Sequence, residues 1–184
     1  MAAADEFPVR VLFEREDLDN PWQDHVWRTV GVLPGSQDVS VDVGALVDAR
    51  IVHEEEGRKR YLSDDITIEL FRKETEGYKL NLSQPVPKIY VVLRPFEDDD
   101  ASEGTDAPDV EVFHVTVCPY EGESYTEGDD ATVDGVPMPN DIVTRLQAFV
   151  DTHHVDVPFK KRKRDKKNPN VEKGWGRPAK QGPQ

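Results

Sequence analysis

Five histidines, His25, His53, His114, His153 and His154, and a single thiol, Cys118, are the side chains of this 184-residue chain best suited to holding a metal or attacking a substrate. No two histidines stand in an HExxH arrangement and no second cysteine completes a zinc set, so the spacing predicts no metal site. His114 and Cys118 share a face of an alternating segment. Four residues of extended chain separate them by roughly 13 Å, too far for a base to take the thiol proton. The residues around Cys118, VTVCPYEGESY, are acidic and do not lower its pKa. The acidic stretch Glu97 to Asp109 lacks the ligand spacing of an EF-hand loop. Arg72, Lys73, Glu74, Glu76, Tyr78 and Lys79 cluster around Gly77 and read as solvated charges at a turn, with no cavity for acid–base work. The sequence therefore points to no catalytic residue, metal or cofactor.

Binding is the chemistry left. DNPWQDHVW packs two tryptophans and a histidine into nine residues, and has two readings. Trp22, His25, Trp27 and Arg28 form an exposed recognition patch, or Asn20-Pro21 is a turn leading into a strand with core tryptophans. Arg72, Lys73, Glu74 and Tyr78 make a second candidate patch. The third candidate is the basic run Lys160, Lys161, Arg162, Lys163, Arg164 together with Trp175. This run could contact phosphates with a steep salt dependence. It could equally fold back on an acidic body, or extend as a docking arm anchored by a tryptophan that has no core to fill.

Charge divides the chain. Ten lysines and arginines against two acids give residues 160–184 a charge of +8, which leaves −22 on residues 1–159 of a chain with a net charge of −14. Such a body repels nucleic acid and attracts basic partners. The length suits one domain, residues 1–157, followed by a disordered basic interaction tail, 158–184. One cysteine forms no internal disulfide, no apolar run reaches the roughly 18 residues of a membrane span, and MAAADEFPVR has no signal-peptide pattern. A cytoplasmic protein without membrane insertion is expected.

The elements that must position these groups are mostly strands. Val9, Val11 and Phe13 alternate with Arg10 and Glu14 in FPVRVLFER. WQDHVWRTVGVLP is apolar at both parities, with Gly31 a possible bulge. ARIVHEEEGRKRYLS reads as two strands about a turn at Gly57, and ITIELFRKETEGYKLNLS as a hairpin about Glu76-Gly77, where glycine supplies a positive φ. KIYVVLRP is a buried strand paired with VEVFHVTVCPYE across the acidic loop. Only PNDIVTRLQAFVDTHH has helical spacing, with Ile142, Leu146, Phe149, Val150 and His153 on one side, predicting a helix over about 140–154. The expectation is an α+β fold: one antiparallel, strongly curved or barrel-like sheet of six to eight strands, one C-terminal helix and a disordered basic tail.

NPWQDHVWRTVGVLPG, LFRKETEGYKLNLSQPVPKIYVVLR, VPMP and FVDTHHVDVPFKKRKR together resemble an uncharacterised family of small bacterial proteins. Genes of that family commonly sit beside those for molybdenum-dependent formate dehydrogenase and molybdenum-cofactor handling. The resemblance runs from about Phe7 to Arg164 and carries over no catalytic residue. It implies a non-enzymatic accessory protein that binds a formate dehydrogenase subunit or its maturation machinery, in assembly, maturation or regulation. The competing expectation is nucleic-acid binding through the basic tail alone.

Overall fold

The computed structural model describes residues 3–35, 50–96, 108–128 and 131–155. Its first strand, β1 (Asp5–Asp17), follows the alternation in its sequence: Phe7, Val9, Val11 and Phe13 are buried while the residues between them are half-exposed. β1 is the spine of the first sheet. On one side it pairs antiparallel with β2 (His25–Pro34). On the other, residues 12–16 pair with β4 (Arg58–Leu62) and residues 5–9 pair with β5 (Ile66–Leu70). β3 (Arg50–Glu55) lies outside β4, giving the order β2-β1-β4-β3 with β5 beside β1.

β6 (Lys88–Pro95), β7 (Val110–Thr116) and β8 (Thr132–Pro137) form a second antiparallel sheet in the order β7-β6-β8. The expected single barrel-like sheet is thus replaced by two open sheets. The physical reason lies in β6: Ile89, Val91, Val92 and Leu93 are all buried, so this strand needs cover on both faces and serves as the centre of a sheet of its own. One apolar core takes Phe13, Trp27 and Tyr61 from the first sheet and Val91, Leu93 and Val112 from the second.

Two bulges set which side chains face that core. Leu12 pairs with Gly31 but Phe13 pairs with Thr29, which leaves Val30 as the extra residue. Val30 is exposed, and the buried positions pass from Trp27 to Val32, from odd to even. That is why β2 is apolar at both parities. In β7, Val92 pairs with His114 and Leu93 with Val112, so Phe113 is the extra residue; it too is exposed, between buried Val112 and Val115.

The β3–β4 hairpin turns at Gly57, whose φ of 76° is the one positive value among the described residues. The second expected hairpin does not exist. After β5, a single 3-10 turn, Arg72–Glu74, leads into α1 (Thr75–Leu82). The residues α1 buries, Thr75, Gly77, Tyr78 and Asn81, are spaced helically, but three of them are not apolar, so the periodicity is invisible to a hydrophobicity reading. Leu80, which completes the apparent strand alternation, is exposed.

α2 (Pro119–Ser124) follows β7, and α3 (Asn140–His153) buries Ile142, Leu146, Phe149 and Val150. Tyr78 of α1 meets Phe149 of α3 edge-on at 6.1 Å, and Arg145 of α3 grips Asp5 of β1 through two bonds of 2.9 and 2.7 Å. Among the described residues no helix is long and apolar enough to cross a membrane.

Candidate functional site

His25, Trp27 and Asp109 come together where the two sheets meet. His25 opens β2, and the chain reaches it through a turn in which the Asn20 side chain accepts the Trp22 N–H at 3.0 Å and Leu18 N–H bonds Asp24 O at 2.8 Å. Asp109 lies just before β7, where its own carbonyl accepts the Phe96 N–H at 3.2 Å. These contacts place His25 Nε2 3.2 Å from Asp109 Oδ2. A further bond, from Thr29 N–H to Asp134 Oδ2 at 2.6 Å, fastens β2 to β8.

The result is a crevice of 470 Å³. Gln23, Asp24, His25 and Trp27 line one side, Leu93, Pro95, Asp109 and Val110 the other, and Ala131 and Thr132 close it. Its volume falls within the range of ligand-binding clefts. The Trp27 ring is held by Phe13 at 5.7 Å, Tyr61 at 5.4 Å and His25 at 6.0 Å, and the residue is 8 % exposed. Yet its Nε1–H has no acceptor among the described residues, and neither has the buried Oδ1 of Asp109 a donor. A buried polar atom left unpaired costs about 1–3 kcal/mol, so such atoms call for a reason.

A second cavity of 470 Å³ shares Pro95 and Ala131 with the first and is lined by Arg94, Phe96, Ser124, Tyr125 and Gly128. The Arg94 guanidinium lies 3.6 Å from the centre of the bulged Phe113 ring and 5.7 Å from that of Tyr125. Beside it, His114 Nε2 approaches Glu121 Oε1 at 3.4 Å and Thr116 donates to Glu121 Oε2 at 2.5 Å. These partners, His114 first, hold the Glu121 carboxyl below its ordinary range. Burial pushes the Cys118 thiol up, and the residue is only 3 % exposed, so it is no ready nucleophile. Among the described residues no three histidine, cysteine or carboxylate side chains converge on a metal position.

Of the first expected patch, His25 and Trp27 line the crevice, Trp22 stands 92 % exposed in the turn before it, and Arg28 is exposed on the opposite face of β2, 3.6 Å from Glu16. The two readings of DNPWQDHVW therefore divide between the tryptophans. The second patch divides in the same way: Arg72 and Lys73 are exposed, while Tyr78 is buried and its hydroxyl accepts the Phe71 N–H at 3.0 Å. Glu74 pairs with Lys73 at 3.3 Å. Lys160, Lys161, Arg162, Lys163, Arg164 and Trp175 lie outside the described residues, as does most of the acidic stretch 97–109. Sequence reasoning missed Asp109, the last acid before an alternating strand, and also Arg94 and Phe113, whose meeting depends on the bulge.

The chain matches, over residues 8–163, the family described as a protein of unknown function, DUF3305. It belongs to that family. The match takes in β1 from Pro8 onward, β2 to β8, α1 to α3 and every residue of the crevice. Comparison with curated proteins and with solved structures finds no match.

Proposed function

We propose that this DUF3305 protein is a non-enzymatic accessory protein that captures a segment of a partner chain in the crevice between its sheets. The observation that carries the reading is a pair of atoms on its lining residues that have no partner among the described residues: Trp27 offers a donor and Asp109 an acceptor. A peptide supplies the complement of both, and an aromatic anchor beside a polar rim is the usual anatomy of a docking centre. The partner is a molybdenum-dependent formate dehydrogenase subunit or its maturation machinery in the cytoplasm; this setting rests on the family resemblance of the sequence. Trp22 extends the patch, and Lys160 to Arg164 with Trp175 act as an accessory arm.

The experiment is affinity capture from the native host while the molybdoenzyme is expressed. Trp27→Phe, which keeps a ring and removes the N–H, and Asp109→Asn should each reduce recovery of the enzyme at least tenfold with the thermal midpoint checked in parallel. Equal recovery by folded variants overturns the crevice as the docking site. A second reading, nucleic-acid binding, is favoured by the +8 charge of residues 160–184. It predicts recovery that depends on those residues and disappears with nuclease.

A further inference from the structure

We infer that the segment held in the crevice is basic: a lysine or arginine side chain enters, with a backbone carbonyl beside it. This deepens the docking reading above and rests on it. Two carboxylates, Asp24 and Asp109, line the crevice against one imidazole, His25, which already faces Asp109 Oδ2. Asp109 Oδ1 is buried, has no donor among the described residues, and takes one. An ammonium or guanidinium supplies one and answers the local excess of negative charge. A carboxylate guest would meet two like charges and supply no donor.

Trp27 sets the second requirement. Its Nε1–H has no acceptor among the described residues, and a cation cannot supply one, so the guest must bring an oxygen as well. A peptide carbonyl next to the basic side chain satisfies it. Val26, Leu93, Pro95 and Val110 give apolar walls for the methylene stem of such a side chain, which prefers apolar contact along its length with its charge at a polar end. Beyond the crevice, the charge of −22 on residues 1–159 raises the local concentration of basic chains and speeds their encounter.

The test uses the full chain labelled with nitrogen-15. Its three tryptophans give three indole resonances, assigned by replacing Trp22 and Trp175 with Phe in turn. Capped tripeptides with lysine, arginine, norleucine or glutamate at the centre are then titrated in. Lysine and arginine peptides should move the Trp27 indole signal and leave that of Trp22 in place. Norleucine should bind at least tenfold more weakly, and Asp109→Asn should remove the preference for charge. Equal binding of norleucine or glutamate, or no movement with any peptide, overturns the inference; so does movement on simple dilution, which would make a second copy of the chain the occupant. Capture from the host that depends on Trp27, without a preference for basic peptides, would leave the docking reading standing and remove only the charge. Loss of both would remove both.

Discussion

Asn81 and Lys88, seven positions apart, close a loop with two reciprocal hydrogen bonds: Nδ2 of Asn81 donates to Lys88 O at 2.7 Å, and Lys88 N–H donates to Oδ1 at 2.9 Å. The remaining Nδ2 hydrogen goes to Val117 O at 2.8 Å. One fully buried amide thus joins α1 to the first residue of β6 and to the end of β7. Asn81→Ala should cost about 3 kcal/mol in denaturant unfolding, because a backbone N–H and two carbonyls lose partners away from water. Asn81→Asp should cost at least as much, since a carboxylate keeps the shape and donates nothing. A loss below about 1 kcal/mol would show that the loop is held by other contacts.

Gly77 yields a prediction in which two effects oppose each other. Alanine inside a helix is worth about 1 kcal/mol over glycine. Here a Cβ would lie 2.9 Å from Cys118 Sγ and 3.1 Å from the Tyr120 ring, and overpacking costs about 1–3 kcal/mol. Packing should win, so Gly77→Ala destabilises in chemical unfolding, and adding Cys118→Ala recovers most of the loss. Failure of that rescue would place the strain elsewhere.

Asp5 and Arg145 tie β1 to α3, and the tie depends on pH. The guanidinium hydrogen bond holds the Asp5 carboxyl below its ordinary value of 3.8. The contribution is therefore full above that value and is lost as the pH falls through the depressed one. Both side chains are about one-third exposed, so solvent limits the pair to about 1 kcal/mol near neutrality. The difference in thermal midpoint between the native chain and Asp5→Asn should be present at neutral pH and vanish in strong acid. A gap that persists there would point to contacts other than the ion pair, such as the Arg145 guanidinium over the Phe7 ring, 4.5 Å from its centre.

The tyrosines offer a spectroscopic check on burial. Burial raises the Tyr78 phenol far above its ordinary 10.0 and raises Tyr90 as well. An alkaline absorbance titration should leave Tyr78 un-ionised until the chain unfolds and show Tyr90 ionising above the ordinary range. Full phenolate formation in a chain that keeps its far-ultraviolet spectrum would contradict the buried position of Tyr78 on α1.

The sequence shows structure where burial is apolar and regular, and hides it elsewhere. β1 is legible because Phe7, Val9, Val11 and Phe13 alternate without interruption, and the spacing of Ile142, Leu146 and Phe149 places α3 where the helix is found. α1 is not legible, because Asn81, Thr75 and Gly77 are buried by hydrogen bonding and close contact rather than by hydrophobicity. The bulge in β2 left a hint in its mixed parity and in Gly31, whereas that at Phe113 left none. In the crevice, Trp27 and His25 stand out by type, but Asp109 gains its meaning only from a partner 84 positions earlier in the chain, which no local pattern records.

The same long reach governs how the chain is made. β1 precedes its partners: β5 and β4, which cover its second edge, end at Leu70 and Leu62, and its anchor Arg145 comes 140 residues after Asp5. At ribosomal speeds of about 5–20 residues per second, Asp5 waits roughly 7 to 28 s for that partner. For part of that interval the thirteen residues of β1 lack the partners of their second edge, and an unpaired edge is the kind that recruits other chains. Arg10, Glu14 and Glu16, which later pair with Asp65, Arg60 and Arg58, keep that segment charged in the meantime. The ion pairs of the finished sheet thus double as protection for the unfinished one.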